Sequence, residues 1–161
     1  MLKGLHHNAY RCRDSEQTRQ FYEDFLGLPL ANAFRISETK SGRATSTLHS
    51  FYAMDDGSCL AFFEAPDMPF EFKDQHDFDL HIALEVEPDD LHKMFDKGKA
   101  AGMQPRGISD HGLIDSIYFR DPNGYVIELT AKRPDHDTQM QSAAGSAHAT
   151  LANWQRDKLP R

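Results

Sequence analysis

The sequence predicts an α+β chain built from two successive βαβββ modules, and three observations predict it. Strand-like and helix-like patterns follow one another in the same order in both halves. Each opening strand carries a histidine at its matching point, His7 and His81, and each closing strand a glutamate, Glu64 and Glu128. Turn-forming runs, Asp55-Asp56-Gly57 and Asp121-Pro122-Asn123-Gly124, stand before both closing strands.

Taken in order, Leu5 to Arg13 alternates as a strand, with His7, Ala9 and Arg11 on one face. Asp14 suits an N-cap, and Gln17 three residues later completes a possible capping box. The helix that follows shows Thr18, Phe21, Tyr22, Phe25 and Leu28 at helical spacing and stops at Gly27. Strands are expected around 30–36, 44–54 and 58–64, which closes a first module of about residues 2–65. Residues 66–79 form a polar, aromatic linker with two prolines. The second module, about 79–131, repeats the pattern. Residues 80–86 are a strand, and Pro88-Asp89-Asp90 begins a helix with Leu91, Met94, Phe95 and Gly98 on one side, closed by Gly102. Strands near 103–107, 114–120 and 125–130 complete it. Residues 132–161 are a separate tail, polar and turn-rich up to Gly145. A short helix over 147–158 is expected to dock Trp154 on the domain or on a partner subunit.

Composition narrows the function. A length of 161 residues with 39% hydrophobic content suits a single core-forming domain, residues 1–131, plus the tail. A formal charge of −7 excludes the basic footprint that nucleic acid or an anionic membrane surface demands. No run reaches the length of a membrane span, and no signal-peptide h-region stands at the start, so a cytoplasmic protein is expected. Cys12 and Cys59 make no disulfide framework. Nine histidines direct attention to metal or acid–base chemistry.

The richest stretch runs from His111 to Glu128. Period two puts Ser116, Tyr118 and Arg120 on one face of its first strand, and Val126, Glu128 and Thr130 together on its second. The hairpin can therefore aim Tyr118 and Glu128 at one pocket, with His111 entering from the preceding loop. A carboxylate inside an apolar strand is costly unless something cationic meets it. His49, His92, His136 and His148 have no partner that the sequence identifies.

The chain resembles the vicinal oxygen chelate superfamily, which contains glyoxalase I, extradiol ring-cleaving dioxygenases and fosfomycin-resistance enzymes. The resemblance covers roughly residues 2–131. It rests on His7 with Asp14, Phe21-Tyr22, Leu26-Gly27-Leu28, the run His81 to Val86 and the run Asp121 to Glu128. It implies paired modules whose curved sheets enclose a metal cavity, with His7, His81 and Glu128 as ligands. Two neutral imidazoles and a carboxylate make the facial set suited to non-haem Fe(II). Glu64 is the open question. As a fourth ligand it would give the two-histidine, two-glutamate site of glyoxalase I-like members for Zn or Ni, with Mn a further alternative; otherwise it is a strand-end glutamate before Pro66 that faces solvent or caps a pocket. The spacing from His111 through Ile117-Tyr118 and Asp121-Pro122-x-Gly124 to Glu128 is similar to the type I extradiol signature. That similarity implies His111 and Tyr118 as catalytic groups beside a metal-bound catechol, with dioxygen as co-substrate. Ser109 departs from the signature, and a further active-site histidine has no clear counterpart among Glu64, His76 and His49. The expected activity is Fe(II)-dependent extradiol cleavage of a catechol-type aromatic. A glyoxalase I-like isomerase or lyase is the alternative, and a metal-free binding module of the same fold the third. Relatives of this kind imply a homodimer.

Overall fold

The computed structural model describes residues 1–158. Its elements are β1 (His7–Arg11), α1 (Ser15–Arg19) with a π-helical continuation (Gln20–Phe25), β2 (Leu30–Glu38), β3 (Ala44–Ala53) and β4 (Cys59–Glu64). Then come β5 (His81–Glu85), α2 (Pro88–Ala100), β6 (Arg106–Asp110), β7 (Ile114–Arg120), β8 (Val126–Lys132), α3 (His136–Ala144) and α4 (Ala147–Asp157). The α+β class and the doubled βαβββ order are as the patterns predict. Each module forms an open four-stranded sheet, in the orders β1-β4-β3-β2 and β5-β8-β7-β6.

The chain divides into two compact units, Met1–Ile82 with Arg120–Ile127, and Ala83–Phe119 with Glu128–Arg161. The division does not follow the modules, because the tip of the last hairpin belongs with the first unit. Residue chemistry explains this. Asp121 is buried, and its carboxylate accepts from the Tyr22 hydroxyl at 2.9 Å and from the backbone N–H groups of Asn123 and Tyr125 at 2.8 Å each. The Tyr125 hydroxyl donates to the Arg11 carbonyl at 2.8 Å, and the Asn123 side chain accepts from the Arg13 N–H at 2.8 Å. Gly124 is required in this turn. Its φ is +96°, and a Cβ there would lie 2.7 Å from the Lys73 carbonyl oxygen.

In the first unit the helix covers one sheet face. Tyr22 is fully buried, its ring 4.7 Å from Phe62 and 5.6 Å from Tyr52. Asp14 caps α1 by accepting from the Gln17 N–H at 2.8 Å, as expected of that spacing. The helix then widens: Leu26 N–H bonds to Phe21 O, five residues back, and Phe21, Tyr22 and Phe25 are all buried. An α-helical spacing alone does not announce that widening.

In the second unit α2 packs on the strands through Gly98, where any Cβ would collide with the Phe119 ring. Here β6 begins three residues later than the pattern suggests, because the chain leaving α2 keeps bonding back to it, Met103 N–H to Gly98 O. The tail also differs from expectation. Besides α4 it forms α3, built where Gln139, Met140, Ala143 and Ala144 favour a helix behind Pro134. Neither tail helix buries a residue, and Trp154 is 64% exposed, so its expected docking on the domain is not found. No helix among the described residues is long and apolar enough to cross a membrane.

Replacing Asp121 with alanine would strand four buried donors, the Asn123 side-chain amide at 2.9 Å among them, and should cost about 3 kcal/mol in denaturant unfolding. Tyr22→Phe should cost about 1 kcal/mol. Equal, near-zero losses for both variants would show that the network does not hold the turn.

Candidate functional site

β1 and β4 run parallel with His7 opposite Cys59, and β3 pairs antiparallel to β4 with His49 opposite Phe63. Partners across a ladder share a face and residues alternate along it. His7, His49, Phe51 and Phe63 therefore lie on one face, and Leu60, Phe62 and Glu64 on the other, which is the face that Tyr22 covers. Glu64 Oε2 accepts from the Ser15 N–H at 2.7 Å, satisfying a donor at the start of α1. The expected candidates His7 and Glu64 thus stand on opposite faces of the same sheet.

Around His7 the structure gathers groups that the sequence left unassigned. Its Nδ1 is 2.7 Å from His6 Nδ1, and its ring centroid lies 5.4 Å from Phe51 and 6.3 Å from His49. His49 is buried, stacks on Phe63 at 3.7 Å and donates from Nδ1 to the Phe62 carbonyl at 3.0 Å. Burial holds its pKa below the usual histidine value, so the ring is neutral at pH 7. Alternation along β3 separates His49 from Leu48 and Ser50, but which face it takes depends on register with β4. His76 belongs to the linker, where its Nδ1 accepts from the Phe78 N–H at 3.1 Å.

His81 opens β5, and its Nδ1 donates to the Asp77 carbonyl at 2.6 Å. That bond fixes the tautomer in which Nε2 carries the lone pair, the form a metal ligand needs. In the second unit the hairpin faces are as period two predicts. The Ser116 hydroxyl donates to Thr130 at 3.2 Å, and the Tyr118 hydroxyl donates to Glu128 Oε1 at 3.3 Å. His111 Nε2 is 2.8 Å from the same Tyr118 hydroxyl. Tyr118 has one proton to give, so when it donates to Glu128, His111 Nε2 must be the donor to Tyr118. His111, Tyr118 and Glu128 thus form one hydrogen-bonded chain. Glu128 itself is 5% exposed. Among the described residues, no three His, Cys, Asp or Glu side chains converge as a group able to hold a metal ion. Taken singly, His81 holds the tautomer in which Nε2 has the lone pair, and Glu128 is a buried carboxylate that accepts from Tyr118.

The paired βαβββ order, with a histidine on each opening strand, defines an α+β chain of two repeated modules. Residues 4–129 match the model of the Glyoxalase/Bleomycin resistance protein/Dioxygenase superfamily, and the chain belongs to that superfamily. Lactoylglutathione lyases from Neisseria meningitidis, of serogroups A and B, are each 28% identical over 137 residues, spanning 83% of this chain and 94% of theirs. Among solved structures, a mutant form of the fosfomycin resistance protein FosX from Listeria monocytogenes, complexed with Mn(II) and 1S,2S-dihydroxypropylphosphonic acid, superposes with a TM-score of 0.63. It is 19% identical and covers 86% of this chain and 99% of its own. A glyoxalase/dioxygenase from Nostoc punctiforme gives 0.61 at 22% identity, covering 81% of this chain and 92% of its own. These structural likenesses concern the fold.

Two outcomes check these placements. Glu64→Ala removes an acceptor at the start of α1 and should lower stability by about 1 kcal/mol. His49 binds a proton more readily unfolded than folded. Its contribution to stability is therefore complete above about pH 6.5 and is lost as pH falls from there through its lower folded value. Thermal melts of His49→Gln between pH 7 and pH 5 should slope less than those of the wild type; identical slopes would contradict the buried, neutral assignment.

Proposed function

We propose that this chain is a divalent-metal enzyme acting on a small substrate with two adjacent oxygens, and that its reaction is extradiol-type cleavage of a catechol. The observation that carries this reading is the chain from His111 through Tyr118 to Glu128. His7, His81 and Glu128 are the proposed ligands, with Fe(II) the proposed ion. The ion would supply Lewis acidity toward the substrate's oxygens, with dioxygen as co-substrate. Everything else falls to the chain's own groups. Tyr118 orients the Glu128 carboxylate and presents its hydroxyl to the substrate. His111 would take and return the substrate's hydroxyl proton, the task to which an imidazole is suited at working pH. The engagement of Glu64 with Ser15 supports three protein ligands rather than four.

A second reading is favoured by a specific observation: the Neisseria lactoylglutathione lyases are similar over 94% of their length. On that reading the chain isomerises a glutathione hemithioacetal with Zn, Ni or Mn. A cytoplasmic homodimer belongs to either reading, and light scattering should return twice the 18.3 kDa of the chain.

Anaerobic metal analysis and oxygen uptake decide between them. Wild-type protein loaded with Fe(II) should consume oxygen with a member of a catechol panel. His81→Ala should lose stoichiometric metal. His111→Ala should keep its metal and lose about 10²- to 10⁴-fold in rate, and Tyr118→Phe less. No oxygen uptake with any catechol, together with turnover of the hemithioacetal by the Ni or Zn form, would sink the dioxygenase reading. Unchanged metal in His81→Ala would remove the ligand set.

A further inference from the structure

Arg106 opens β6 directly opposite Tyr118 on β7, the two being partners in the antiparallel ladder. Such partners point to the same face, and the Arg106 guanidinium carbon lies 5.0 Å from the centroid of the Tyr118 ring. That is within cation–π reach, and a planar guanidinium suits the face of a ring better than an ammonium does. The neighbouring backbone allows the approach. Gly107 sits at φ +115°, and a Cβ there would lie 2.6 Å from the Ser116 carbonyl oxygen, so only glycine fits between Arg106 and the register shift of β6 against β7. The hydroxyl on the far end of the same ring meets His111 Nε2 at 2.8 Å and Glu128 Oε1 at 3.3 Å.

The O–H bond of a phenol prefers to lie in the plane of its ring. Whatever fixes that plane therefore decides where the hydroxyl proton points. The terminal ring torsion of tyrosine is broad and sets no plane by itself. We propose that Arg106 is a positioning residue for Tyr118: its guanidinium, laid on the ring, selects the plane in which the hydroxyl can meet His111 and Glu128 together. This rests on the role proposed above for Tyr118. Arg106 touches no reacting atom on this account and acts only through the ring.

The test compares Arg106→Gln and Arg106→Ala, alone and combined with Tyr118→Phe, after thermal melts confirm that each variant folds. With the metal-loaded enzyme and a catechol, each single Arg106 variant should lose about two- to fivefold in kcat with KM unchanged. In the Tyr118→Phe background, which keeps the ring but lacks the hydroxyl, the same change should cost nothing further. In metal-free protein, the ring ¹⁵N resonances of His111 should move in Arg106→Gln in the direction that they move in Tyr118→Phe. Unmoved His111 resonances overturn the proposal, and so does an equal fold-loss in both backgrounds. A wild type that turns over no catechol defeats the dioxygenase reading instead, and the His111 resonances then decide the role of Arg106 alone.

Discussion

The buried carboxylate of Asp121 is the group on which the first unit depends. Removing a carboxylate from water is expensive, and only hydrogen bonds from every side make it tolerable. Burial pushes its pKa up, while donors from Asn123, Tyr125 and Tyr22 pull the other way. Two of those donors are backbone groups of its own turn, and a third is a hydroxyl from the helix of the other module. The turn is therefore incomplete without the helix. That is why the tip of the last hairpin belongs to the first unit although it is encoded far along the chain from β1, and why the repeat in sequence is not the division in space.

The helix that carries Tyr22 is itself fitted to this interaction. Phe21, Tyr22 and Phe25 stand at helical spacing on one face and are all buried, and the Tyr22 hydroxyl reaches Asp121. The π-helical turns run from Gln20 to Phe25. The start of the helix makes its own demand: the Ser15 N–H needs an acceptor, and Glu64 at the end of β4 provides it. The two modules have diverged here, one closing strand serving a helix and the other contributing Glu128 to a polar chain beside His111 and Tyr118.

Much of this was legible in the sequence because it depends on local periodicity. Alternation alone puts Tyr118 and Glu128 on a common face, and their hydrogen bond agrees. The order of elements followed from recurring patterns and turns. What was not legible depends on register between distant strands. Facing for His49 requires knowing that it opposes Phe63 on β4. Glu64 looked equivalent to Glu128 because both close a strand. Counting from the turn glycines corrects that, since Glu128 stands four after Gly124 whereas Ala61 stands four after Gly57. Helix α3 is less legible because its polar residues suit a turn as well as a helix.

The position of Glu64 bears on chemistry as well as on packing. Moving a proton between adjacent carbons of a hemithioacetal calls for a base beside the substrate, and a four-ligand site would offer a carboxylate from each module. In this chain the carboxylate of the first module lies across the sheet from His7 and already accepts from a backbone N–H. Withdrawing it would strand a donor at the start of α1. In the second module His111 is in hydrogen-bond contact with the Tyr118 hydroxyl, which in turn donates to Glu128. The two closing strands therefore differ in what their glutamates do: Glu64 serves the start of a helix, and Glu128 accepts from Tyr118 in a polar chain that begins at His111.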